Sequence, residues 1–170
     1  MSFTNRDVIA QAIKWSREGK RVVLGTVLET WGSAPRPAGS LMAICPPHAI
    51  TGSVSGGCVE NDLAMKAAQL DEQGFQLVEY GVADEEAFAV GLACGGHIKV
   101  ALQEFHADMF PEDYDGRNHP GYMTQDLNGG PMSFVAETQA TGKDWFQGDM
   151  SGPYQHPKEQ SSLFVNPLLA

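Results

Sequence analysis

The residues best suited to chemistry in this 170-residue chain lie in two glycine-rich stretches, each carrying a cysteine. The first is Gly52-Ser53-Val54-Ser55-Gly56-Gly57-Cys58-Val59-Glu60, and the second is Gly91-Leu92-Ala93-Cys94-Gly95-Gly96. An apolar segment precedes Gly52, and Leu63, Ala64, Ala67 and Leu70 follow at helical spacing. The first stretch therefore reads as a strand-to-helix junction. There the first helical N–H groups lack intrahelical partners and the helix dipole adds partial positive charge. Gly56 and Gly57 let a ligand come close to the backbone. Strand end, glycine turn and helix start together form a candidate anion cradle. Cys58 inside it suits a ligand with both an anionic group and a thiophilic centre. The same residues also fit a tight packing turn with Cys58 as a small buried side chain.

Three further residues bear on that site. Arg36 stands between two prolines in Gly32-Ser33-Ala34-Pro35-Arg36-Pro37-Ala38-Gly39, a rigid mounting for a forked anion donor. The alternative is a solvated loop arginine. Glu60 is the base nearest Cys58 along the chain, and helix capping is its other role. His97 follows Cys94 closely, but three residues along a strand would turn the two to opposite sides. Cys45 has no glycine-rich setting and reads as structural. The carboxylates of Asp84-Glu85-Glu86 fit a helix N-terminus better than a metal or acid–base pair.

These residues need elements to hold them. Thr4 or Asn5 can cap a first helix with Asp7 in its first turn; Val8, Ile9, Ala12 and Ile13 form its apolar stripe, and Gly19 ends it. Arg21 to Trp31 is a strand apolar on both faces, which predicts a central position. Ser40–Cys45 and Ala49–Val54 read as a hairpin around Pro46-Pro47. Phe75–Tyr80 and His97–Phe105 are further strands, the latter with Ile98, Val100 and Leu102 on one face. The expected fold is α/β: one domain over residues 1–105 with a mixed β-sheet flanked by helices. Residues 106–170 read as an acidic connector and irregular extension with short strands, not an independent domain. Within it, 106–121 reads as a linker or exposed loop, and Met132–Thr138 and Leu163-Phe164-Val165 are apolar enough to bury something.

Bulk properties narrow the partners. A formal net charge of −10 argues against nucleic acid or an anionic membrane surface. No apolar run approaches the roughly 20 residues of a spanning helix, and the first segment does not read as a signal peptide. Three cysteines without close pairing fit neither a disulfide framework nor a zinc site. The expected address is the cytoplasm.

Gly32-Ser-Ala-Pro-Arg36-Pro-x-Gly39, Gly52-Ser-Val-Ser-Gly-Gly-Cys58-Val-Glu60 and Ala83-Asp-Glu-Glu-Ala-Phe-Ala-Val-Gly-Leu-Ala-Cys94-Gly-Gly96 together resemble the N-terminal domain of the XdhC/CoxI family. These are accessory factors of xanthine dehydrogenase and related molybdenum hydroxylases. Three motifs in order make a more specific match than any one alone, and the likeness covers roughly residues 4 to 105. Longer members continue into a C-terminal Rossmann-like domain. Here Ser162-Leu-Phe-Val-Asn-Pro-Leu resembles the lead-in to that domain, and the Rossmann half is expected to be absent.

The resemblance implies a chaperone, not an enzyme, that binds the molybdenum cofactor (molybdopterin) as cargo. It would protect the cofactor during sulfuration and deliver it to an apo molybdenum hydroxylase of the xanthine dehydrogenase or CO dehydrogenase type. It places Arg36, Ser55, Gly56, Gly57, Cys58, Glu60, Cys94, Gly95 and Gly96 at the cofactor, with Cys58 and Cys94 as soft ligands to the metal. The implied partners are the apo-enzyme, a cysteine desulfurase, and a separate Rossmann-domain chain or a second copy. Two other readings stand beside it: a cysteine-based sulfur-transfer enzyme, and a structural subunit completing a Rossmann-like chain.

Overall fold

The central strand is the one whose two faces are both apolar. The computed structural model describes residues 4–31, 36–47, 49–57, 59–81, 96–116, 118, 121–136, 154–155 and 163–168. In chain order the elements are α1 (Asn5–Arg17), β1 (Val22–Trp31), β2 (Leu41–Cys45), β3 (Ala49–Gly52), α2 (Glu60–Ala68), β4 (Phe75–Tyr80), β5 (His97–Phe105), a 3-10 turn (Ala107–Met109), β6 (Gly121–Asp126), β7 (Ser133–Ala136), β8 (Tyr154–Gln155) and β9 (Leu163–Leu168). β1 is the middle of a five-stranded sheet of order β3-β2-β1-β5-β4.

One face of that sheet buries Val23, Val27, Ile44, Ile98, Val100 and Leu102 under Leu63 and Ala67 of α2. The other buries Val22, Leu24, Leu41, Ala43 and Phe105 under Val8, Ile9, Ala12 and Ile13 of α1. The alternation of β1 thus feeds two cores, as a strand covered on both sides requires. Thr4 caps α1: Asp7 N–H donates to Thr4 Oγ1 at 3.2 Å, and Thr4 N–H returns a bond to Asp7 Oδ2 at 3.0 Å.

The α/β domain is present, but its sheets are not mixed. Every strand pair among the described residues is antiparallel. Parallel neighbours need a crossover of a dozen or more residues. Here β2 and β3 are joined by a tight hairpin, with Cys45 opposite Ala49.

The second half holds more order than a connector. β6 through β9 form a four-stranded sheet of order β7-β6-β9-β8. Met123 and Phe134 pack into the α1 core, and Phe164 packs on Leu28 and Ala101 of the first sheet. Within 106–121, expected to be exposed, Ala107, Phe110 and Tyr114 are buried, and the Phe110 and Tyr114 rings stack at 4.8 Å. Phe164 and Val165, apolar enough to bury something, are buried within this chain. Among the described residues no helix is long and apolar enough to cross a membrane.

Candidate functional site

Strand direction decides where the three motifs go. In an all-antiparallel sheet of order β3-β2-β1-β5-β4, neighbouring strands alternate in direction. The C-terminal ends of β3, β1 and β4 and the N-terminal ends of β2 and β5 therefore share one edge. Register agrees: Trp31 faces His97, Tyr80 faces Ile98, Thr26 faces Leu41, and Met42 faces Gly52. From that edge emerge the β1–β2 connection with Arg36, the β3–α2 connection with Ser55, Gly56 and Gly57, and the β4–β5 connection ending in Gly96. Cys58, Cys94 and Gly95 lie on the last two connections, outside the described residues, as does the segment Asp84–Ala89. Cys45, at the opposite end of β2, is a free thiol.

The β3–α2 turn is built around one carboxylate. Glu60 Oε1 accepts from Ser53 Oγ at 2.7 Å, Val54 N–H at 3.1 Å and Ser55 N–H at 2.9 Å. Its Oε2 accepts from Ser55 Oγ at 2.7 Å and Val59 N–H at 3.2 Å. Val54 and Val59 are fully buried on either side and anchor the turn to the α2 core. The N-cap residue Val59 has no capping side chain; Glu60, at the first helical position, gathers N–H groups of the turn that precedes the helix. Burial alone would raise the Glu60 pKa; the bonds from Ser55, Ser53 and the backbone outweigh it and bring it down to about 2. So acidic a group is a weak proton acceptor at neutral pH. Three backbone donors of the turn, on Val54, Ser55 and Val59, are engaged by this side chain, and Gly56 N–H donates to Ser53 Oγ at 2.8 Å.

What the turn leaves open is its tip. Gly56 and Gly57 are exposed, at φ +78° and +120°, a region costly for side-chain-bearing residues. Among the described residues nothing lies within 4 Å of where a Cβ on Gly57 would sit. At Gly57 backbone conformation, not crowding among the described residues, calls for glycine.

Arg36 is half-buried, and its Nε is a buried donor without a partner among the described residues. A donor of that kind fits an anionic ligand group. Gly96 is buried at the start of β5; a Cβ on Gly81, at φ +84°, would collide with the Gly96 carbonyl. The two ends of the Cys94 loop therefore touch.

Sequence reasoning missed three contacts here. Tyr80 Oη donates to Asp62 Oδ2 at 2.5 Å, tying the root of the Cys94 loop to the first turn of α2. Burial first, then the bond to Asp62 and the charges of Asp62 and Glu60, push the Tyr80 pKa well above the phenol range. On the sheet's other face Trp31, 47% exposed, lies against His97 with ring centroids 4.4 Å apart. His97 Nε2 is 3.8 Å from Glu79 Oε2. No sequence signal marks Tyr80 for Asp62, because the pair forms only when α2 covers the sheet. Among the described residues no group of three or more His, Cys, Asp or Glu could hold a metal. A cleft of about 320 Å³ lined by Glu72, Gln103, Glu104, His106 and Asp108 lies at the opposite edge and holds no motif residue.

The class the fold defines is a two-faced antiparallel sheet whose three motif-bearing connections leave from one edge. Residues 15–81 match the model of the XdhC and CoxI family. The chain is 33% identical over 104 residues to the molybdenum cofactor insertion chaperone PaoD of Escherichia coli, covering 61% of this chain and 32% of that protein. It is 33% identical over 84 residues to a probable xanthine dehydrogenase component of Bacillus subtilis, covering 48% of this chain and 26% of that one. The chain thus spans about a third or less of these curated relatives. Its fold matches a xanthine dehydrogenase crystal structure from Bacillus halodurans with a TM-score of 0.66 at 21% identity, over 99% of this chain and 53% of that one.

Proposed function

We propose that this chain binds the molybdenum cofactor as cargo and hands it to an apo molybdenum hydroxylase of the xanthine dehydrogenase or CO dehydrogenase type. The observation that carries the reading is the convergence of the Arg36, Cys58 and Cys94 loops on one sheet edge. The names of the relatives supply the cargo. In this reading Arg36 meets the cofactor's phosphate, because its Nε is a buried donor in need of an acceptor. Gly56, Gly57, Gly95 and Gly96 let the ligand approach the backbone, and Cys58 and Cys94 offer thiolates to a thiophilic metal. Ser55 and Glu60 act by holding the turn that presents Cys58. Sulfuration would occur on the bound cofactor with a cysteine desulfurase as sulfur donor, in the cytoplasm. A separate Rossmann-domain chain or a second copy remains a proposed partner.

A sulfur-transfer enzyme would need a base beside its cysteine. Glu60, held ionised down to about pH 2, is poorly suited to that task. The test is to mix the purified chain with molybdenum cofactor released from a carrier protein and measure molybdenum retained after gel filtration. Retention near one equivalent is expected for the wild type, with marked loss in Cys58→Ala and Cys94→Ala. If the wild type retains no more molybdenum than serum albumin, the cargo reading is wrong. Persulfide turnover on Cys58 or Cys94 without cofactor would favour the enzyme.

A further inference from the structure

The last strand reaches back to the loop that carries Arg36. Asn166 on β9 is 1% exposed, and its Nδ2 donates to the Gly39 carbonyl at 2.9 Å. Asn5, at the start of α1, donates to the same oxygen at 2.7 Å. Two amides from opposite ends of the chain therefore clamp one carbonyl. Gly39 is also held through its N–H, which donates to Val27 O at 2.7 Å, while Val27 N–H donates to Ser40 O at 3.0 Å. Ser40 N–H then closes a tight turn on Pro37 O at 3.2 Å.

That turn leaves little slack between Gly39 and Arg36. Pro37 has a fixed φ, and the residue before a proline is itself restricted. Where Gly39 is fixed, the direction of Arg36 follows. An apolar residue at position 166 would pack beside buried Phe164 and Val165 without the cost of burying an amide. The amide instead gives the Gly39 carbonyl a second donor beside Asn5 and ties the proline loop to β9. We propose that Asn166 is a positioning residue for Arg36: by clamping Gly39 it holds the proline loop so that Arg36 meets a phosphate-class anion on the ligand. The identity of that anion rests on the cofactor reading above; the clamp does not.

The experiment uses the full chain with Asn166→Leu, Asn5→Ala, Arg36→Ala and the Asn166→Leu/Arg36→Ala double variant. The first readout needs no ligand: the rate of phenylglyoxal modification at Arg36, with Arg17 and Arg21 as internal references, at a temperature where circular dichroism shows each variant folded. Asn166→Leu and Asn5→Ala should speed modification several-fold at Arg36 alone. The second compares binding of released molybdenum cofactor with that of its dephosphorylated form. The wild type should favour the phosphate form by roughly tenfold, the order expected of one charge-assisted hydrogen bond. Asn166→Leu should lose that preference, and the double variant should do no worse than Arg36→Ala. Unchanged Arg36 reactivity in both clamp variants, or a preference kept by Asn166→Leu and lost by Arg36→Ala, overturns the proposal. If the wild type binds neither form the cofactor reading fails, and the reactivity readout still decides the clamp. Should Asn166→Leu not fold, Asn5→Ala decides it by the same measurements.

Discussion

Tyr80 Oη donates to Asp62 Oδ2 at 2.5 Å, and that bond joins the end of β4 to the first turn of α2. Tyr80 is the last strand residue before the Cys94 loop, and Asp62 follows the Cys58 turn by one helical turn. The two cysteine loops are thus braced against each other at their roots. Asp62 is further steadied by Lys66, 3.5 Å away and one turn on.

Tyr80→Phe should remove the brace while leaving the ring in its core. The expected loss is about 1 kcal/mol, the worth of a partly buried hydrogen bond. The pH signature is distinctive. A phenol whose folded pKa is raised stabilises the fold fully below its unfolded pKa of about 10, and that contribution is lost as pH rises toward the folded value. Wild-type stability should fall above pH 10 more steeply than that of Tyr80→Phe in urea titrations. Parallel slopes would remove Tyr80 from the account.

Glu60→Gln should destabilise the chain, because a neutral amide cannot accept all five hydrogen bonds now made to the carboxylate. Allowing for solvent screening at this half-exposed site, about 1–2 kcal/mol is expected. The folded pKa of about 2 lies below the ordinary 4.5, so the unfolded state binds more protons between those values. Stability from this group is present above about pH 4.5 and disappears as pH falls toward 2. Denaturation midpoints of wild type and Glu60→Gln should therefore differ at pH 7 and converge near pH 2. A difference that stays constant across that range would contradict the assignment.

Cys58 should alkylate faster than Cys45 in the folded chain. Cys58 precedes the start of α2, where the helix dipole favours a thiolate, whereas Cys45 sits at the other end of the sheet. The ionised Glu60 two residues on works against that preference, so Glu60→Gln should quicken Cys58 further without changing Cys45. Mass-spectrometric labelling rates measure both, and equal labelling of the two thiols in the wild type would refute the ordering.

Removing residues 106–170 should leave a chain that does not fold stably. The truncation uncovers Phe105, Leu28 and Ala101 and strips Phe110, Tyr114 and Met123 from the α1 core. It also breaks the buried relay in which Thr26 Oγ1 donates to Gln125 Oε1 at 3.0 Å and Gln125 Nε2 to Gln103 Oε1 at 3.2 Å. Loss of a cooperative thermal transition, with dye binding to exposed apolar surface, is expected. A cooperative melt near that of the full chain would show that the first sheet stands alone.

What the sequence determined by itself is local. Thr4 and Asp7 lie three residues apart, so the capping box of α1 is written in the chain. The two apolar faces of β1 announce a central strand, and Gly56-Gly57 announces a turn before a helix, because both depend on near neighbours. β6 escaped notice because Gln125 is polar yet fully buried, its amide met by Thr26 and Gln103 from the other sheet. Only the tertiary structure decided the rest. Antiparallel pairing brings three separated motifs to one edge, and no single motif encodes its strand's direction. The Glu60 carboxylate meets its donors only once the turn has closed around it. Asn166 meets Gly39 across 127 residues of chain, a contact set by how the second sheet docks on the first and invisible to any local pattern.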